Sequence, residues 1–241
     1  MPPKRKNEAE DNPGVAAQRP RVDKPKPIPL DRSFAEHLKL PYGGEVYKDY
    51  SCTLTFADIA KNENKYFVIQ MTKDGEKYHV CSRSGQVGCI EEKKVTSTFG
   101  SEAEADKKFC KLFEEKTGNE WINRSEFVRK PTKGFTMLEM DPCDMPLGRL
   151  SKNQIQKAKE ALTELEATIK KDASVFTPEP VNAQGVPPVR SNILEKKRVI
   201  DEKMTLFYTL YPCNNGEKMI KLDQLPAISE MKRKLELEFR K

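Results

Sequence analysis

The chain has 241 residues, of which 37% are hydrophobic and 33% charged, with a formal net charge of +6. This composition excludes a wholly disordered chain, and no apolar run approaches the roughly 20 residues needed to span a bilayer. The small excess of Lys and Arg suits an anionic partner without identifying one, and the first residues show no apolar core of a signal peptide.

Residues 1–41 read as a disordered basic tail. The chain opens Pro2-Pro3-Lys4-Arg5-Lys6, and Arg19, Arg21, Lys24 and Lys26 follow after a spacer. Two basic clusters on a flexible segment can present charge to a nuclear import receptor, so Lys4, Arg5, Lys6, Arg19 and Arg21 are the candidate localisation residues. The same residues can also keep a tail soluble or touch phosphates without specificity. Pro20, Pro25, Pro27 and Pro29 favour an extended conformation.

Residues 45–141 have a different pattern. Residues 65–71 are rich in aromatic and β-branched side chains and predict a strand. Asp74-Gly75 predicts a tight turn, and residues 77–83 alternate as a second strand. The stretch Ser84-Gly85-Gln86-Val87-Gly88 predicts a bend into a third strand, completing an antiparallel meander. Ser101 with Glu104 forms a capping pair for a helix whose stripe is Ala105, Phe109, Leu112 and Phe113. Gly118 stops it. Trp121, Phe127, Phe135, Met137 and Leu138 are expected to close the core, and the run 91–94 (Glu-Glu-Lys-Lys) to be a solvated strand end.

Residues 145–241 turn helical. Ser151 can cap a helix bearing Ile155, Ala158, Leu162, Leu165 and Ile169. Four prolines and a glycine break residues 172–190 into a loop. A second helix is expected over about 191–210, with Ile193, Leu194, Ile200, Met204 and Phe207. A third follows Pro226, with Ile228, Met231, Leu235 and Phe239. These amphipathic stripes must bury one another or meet a partner. The fold class is therefore α+β: a small antiparallel sheet with a packed helix, then an all-α segment.

Six cysteines (Cys52, Cys81, Cys89, Cys110, Cys143 and Cys213) and two histidines (His37 and His79) are present. None has zinc-finger spacing, so no metal site is expected and the cysteines read as reduced thiols. No Cys–His pair suggests a nucleophile, and no glycine-rich loop opens a helix to cradle phosphate. No catalytic residue and no cofactor are expected.

Four blocks carry a family resemblance: Asn64-Lys65-Tyr66-Phe67-Val68-Ile69-Gln70, Ser82-Arg83-Ser84-Gly85-Gln86-Val87-Gly88, the run from Phe109 through Glu115-Lys116-Thr117-Gly118-Asn119-Glu120-Trp121, and Phe127 with Lys133-Gly134-Phe135-Thr136-Met137-Leu138-Glu139. In order and spacing they resemble a WGR domain of the DNA-repair-linked poly(ADP-ribose) polymerases. Met145-Pro146-Leu147-Gly148-Arg149-Leu150-Ser151 and Phe207-Tyr208-Thr209-Leu210-Tyr211-Pro212 are similar to that family's helical regulatory domain, which is expected to be incomplete here. The resemblance implies a nuclear, DNA-binding module linked to ADP-ribosylation. Its DNA-contacting positions fall on Asn64, Lys65, Arg83, Ser84, Gly85, Gln86 and Phe135. The name-giving Trp-Gly-Arg reads Ser84-Gly85-Gln86, which removes both a stacking ring and a phosphate-binding charge. Arg83 is one residue away and is the candidate replacement; Gly85 is the candidate for close backbone approach to a phosphate. The family's transferase domain would begin where the chain ends, so its NAD-binding residues have no counterpart. Two other readings stand beside DNA binding: a module that docks on a full-length polymerase without touching DNA, and the N-terminal part of an NAD-dependent ADP-ribosyltransferase.

Overall fold

The computed structural model describes residues 27–40, 44–89, 91–130, 134–138, 150–171, 190–213 and 219–240. The basic clusters of residues 1–26, the Met-Pro-Leu-Gly stretch and the loop 172–189 lie outside them. Among the described residues, no helix is long and apolar enough to cross a membrane.

Five antiparallel strands form one sheet: β1 (Val46–Asp58), β2 (Glu63–Asp74), β3 (Lys77–Gln86), β4 (Glu92–Phe99) and the short β5 (Thr136–Met137). Their order across the sheet is β4-β3-β2-β1-β5. The Asp74-Gly75 signal acts as predicted, turning β2 into β3 with Gly75 at φ 56°. The bend predicted over Ser84-Gly85-Gln86-Val87-Gly88 occurs only at its end, Val87-Gly88. Ser84, Gly85 and Gln86 continue β3, paired with Phe67, Tyr66 and Lys65, and the turn comes later at Gly88, φ 86°.

Side chains alternate across a strand, so β2 has two faces, and both are covered. Phe67, Ile69 and Met71 join Cys52, Leu54, Tyr78 and Val80 beneath α2 (Glu102–Thr117), against Ala105, Phe109, Phe113 and Trp121. Tyr66 and Val68 join Val46, Cys81 and Val87 on the reverse, against Leu30, Phe34 and Ala35. Ser101 caps α2 by accepting from the Glu104 N–H, and Gly118 ends it in the left-handed conformation, φ 69°. Leu112 is only partly buried, at the margin of the stripe it was assigned to.

The tail boundary needs correction. Residues 28–40 fold back on the sheet and form α1 (Arg32–Leu38), with Phe34 only 1% exposed. Pro29 bridges Glu45, and the Leu30 N–H donates to the Gly44 carbonyl. The prolines deprived this segment of a helical signal, but Asp31 caps the helix that follows them.

The helices α3 (Lys152–Lys171), α4 (Arg190–Leu210) and α5 (Leu225–Phe239) bury one another through Ile155, Leu162, Leu165, Ile200, Met204, Phe207, Ile228, Met231 and Leu235. Ile193 and Leu194, expected in the same stripe, are 37% and 66% exposed. The bundle also packs on the end of β1, where Ala57 and the following Ile59 belong to its core. The Thr55 hydroxyl donates to the Thr209 carbonyl at 2.7 Å, and the Ile59 N–H donates to the Thr205 hydroxyl at 3.2 Å. The Met219 N–H donates to the Asn62 side-chain oxygen at 2.9 Å, tying the β1–β2 turn to the bundle as well.

Candidate nucleic-acid interface

The register of the sheet divides the seven candidate residues. Lys65 faces Phe56 on β1 and Gln86 on β3, and Phe67 faces Leu54 and Ser84. Because directly opposed residues share a face, Lys65, Ser84, Gln86 and Phe56 stand on the α2 side. Phe135, just before β5, reaches the same place: its ring centroid is 5.8 Å from that of Phe56. Lys116, in the last turn of α2, joins from above, with its nitrogen 5.6 Å from the Phe135 centroid and 4.9 Å from that of Phe67.

Lys65 points outward with its side chain 45% exposed, and its nitrogen lies 2.8 Å from the Glu63 carboxylate. It also lies 5.9 Å from the Phe56 ring centroid. Lys116 makes no ion pair among the described residues and is held by rings alone. Gln86 is occupied at both ends of its amide: it donates to the Asn62 carbonyl at 3.2 Å and accepts from the Asn64 N–H at 3.4 Å. It staples the β1–β2 turn.

The other three candidates are elsewhere. Arg83 shares the reverse face with Val68 and Tyr66, is 9% exposed, and is held by Asp31 at 2.5 Å and Glu92 at 3.1 Å. It does not replace the missing guanidinium of the motif, because a strand sends neighbouring side chains to opposite faces. Gly85 is explained by packing within the sheet. A Cβ there would sit 2.9 Å from the Glu91 carbonyl oxygen and 3.0 Å from the Tyr66 hydroxyl. Asn64 is 3% exposed, with its carbonyl accepting from the Val87 N–H and its side-chain oxygen buried without a partner among the described residues. Trp121 is core as expected, 6% exposed and edge-on to Phe109 and Phe113.

Two residues of this face were not singled out as contacts from sequence. Lys116 sits in a recognisable block but reads as one of several solvent-facing lysines on α2. Phe56 is legible as a strand residue, but nothing local places it beside Phe135.

Residues 50–128 match the WGR domain, and residues 125–238 match the poly(ADP-ribose) polymerase regulatory domain. The chain is 30% identical over 185 residues to the human protein mono-ADP-ribosyltransferase PARP3, covering 53% of this chain and 34% of that protein. It is 30% identical over 228 residues to the PARP3 of Gallus gallus, covering 71% of this chain and 39% of the relative. Identity to poly [ADP-ribose] polymerase 1 of Caenorhabditis elegans is 28% over 218 residues, covering 70% and 21% respectively. The chain therefore spans about a third of the length of the first of these relatives.

Proposed function

Because this chain belongs to the poly(ADP-ribose) polymerase family, joining a WGR domain to that family's regulatory helices, we propose that it binds DNA at nicks or ends and takes part in nuclear ADP-ribosylation signalling. The observation that carries the reading is the placement of Lys65 and Lys116 on one partly open face, next to the position where the family motif would stand. Cations on a surface of this kind neutralise phosphates and release counterions. Ser84 and Gln86 bring no charge of their own, so the grip rests on the two lysines and is weak and salt-sensitive. Nuclear entry is assigned to the basic clusters at Lys4, Arg5, Lys6, Arg19 and Arg21. The reading of a DNA-independent docking module loses part of its support, since most of each apolar stripe is buried in the bundle, with Ile193 and Leu194 left exposed.

A mobility-shift assay of the full chain on nicked duplex tests this. Two neutralised phosphates give a slope of about −2 in log affinity against log salt. Lys65→Glu and Lys116→Glu each weaken binding and flatten that slope, with their melting temperatures unchanged. Absence of any shift by the unmutated chain at low salt, or an unaltered shift by the double variant, defeats the proposal.

A further inference from the structure

The face that carries the two lysines is aromatic at its centre. Phe56 and Phe135 lie side by side, both half-buried, with their planes tilted by 39°. Gly134 permits this arrangement. Its φ is +76°, and a Cβ there would lie 2.6 Å from two carbons of the Phe56 ring, so a side chain would push the rings apart. Across the sheet, Ser84 opposes Phe67 with only a short side chain. The ammonium groups of Lys65 and Lys116 lie 5.9 and 5.6 Å from the Phe56 and Phe135 centroids. Among the described residues no carboxylate holds Lys116 in place, and it can be drawn to a phosphate.

We infer that Phe56 and Phe135 form a seat for an unpaired nucleotide at the break, with the base against the phenyl faces and the flanking phosphates at Lys65 and Lys116. The inference rests on the DNA-binding reading above and goes further by naming the substrate as a break with single-stranded character. A base inside an intact duplex has both faces covered by its neighbours, so only a terminal or unpaired base can reach such rings. Stacking on aromatic side chains beside cations tolerates any base, because every base has a π face. A phosphate-only surface would have no use for the rings, and charge complementarity selects an anionic strand over an apolar occupant.

Fluorescence anisotropy of the full chain, at one fixed low salt, compares a nicked duplex with the same duplex bearing a short single-stranded overhang. The unmutated chain is expected to prefer the overhang by about fivefold or more. Phe135→Leu, which keeps the bulk and removes the π face, brings the ratio of the two affinities close to one, and a thermal melt verifies its folding. Lys116→Gln lowers the salt slope on the overhang by about 0.7, the single-strand value for one phosphate. Equal affinity of the unmutated chain for both DNAs overturns the seat and leaves break binding standing. An overhang preference that survives Phe135→Leu overturns it too. Failure to bind either DNA removes this inference together with the function proposed above.

Discussion

Glu92 lies in a run that reads as a solvated strand end, yet its carboxylate is the hub of the reverse face. One oxygen accepts from the Tyr66 hydroxyl at 2.9 Å and from Arg83 at 3.1 Å, and the other pairs with Lys94 at 2.7 Å. Burial alone pushes this carboxyl up, but the hydrogen bonds from Lys94, Tyr66 and Arg83 outweigh it and hold it at about 2, below the ordinary 4.5. A depressed carboxyl contributes its stability above the unfolded value and loses it as pH falls through the folded one. The urea midpoint should therefore drop between about pH 4.5 and about pH 2, and drop less steeply in Glu92→Gln. Parallel pH curves for the two proteins would show that Glu92 is not the source. Gly85 teaches a related lesson. Its lack of a side chain reads as an opening for a ligand, and the structure fills that opening with Tyr66 and the Glu91 carbonyl.

At the scale of elements, α1 depends on a single buried aspartate. Asp31 caps the helix by accepting from the Ser33 N–H at 2.8 Å, and its own N–H donates to the Gln70 side chain at 2.7 Å. Its other oxygen pairs with Arg83, and it is 1% exposed. A seven-residue helix is too short to hold itself together, so this one exists only through docking. Removing Asp31 takes from the buried Arg83 one of its two carboxylates and from α1 its cap, a combined cost of about 2–4 kcal/mol. Asp31→Ala should lose that much in chemical denaturation, while the double change Asp31→Leu with Arg83→Met recovers part of it. If the double variant were no more stable than the single one, the buried pair would not be the cause. β2, β3 and α2 announce themselves by residue type, alternation and caps; β1 and α1 go unread, and α1 gives no local signal because its stability is tertiary.

The whole molecule is joined at the end of β1, where the sheet and the regulatory helices share a core through Ala57 and Ile59. Trp121, the single tryptophan of the chain, reports on the sheet, and far-UV ellipticity reports mainly on the bundle. The two signals should unfold together in the unmutated protein. Thr55→Val removes the donor to the Thr209 carbonyl at this seam and should cost about 1–2 kcal/mol. Separate transitions in the unmutated protein would show that the seam couples the two halves weakly.

Local pattern determined the architecture. Aromatic and β-branched content marked β2, alternation marked β3, the Ser101 and Gly118 signals bounded α2, and the helical spacing of Ile155 to Ile169 and of Ile228 to Leu235 fixed the stripes that pack. The motif blocks also determined the family, since their order is a property of the sequence. Which candidate residues stand together was decided by register and docking. Lys65, Ser84 and Phe135 meet Phe56 and Lys116 only after the strands pair and α2 crosses them. Arg83, one residue from the motif, is turned away by the pleat. Periodicity tells which residues share a face of one strand, but the neighbour across the sheet comes from distant parts of the chain, and no local signal encodes it.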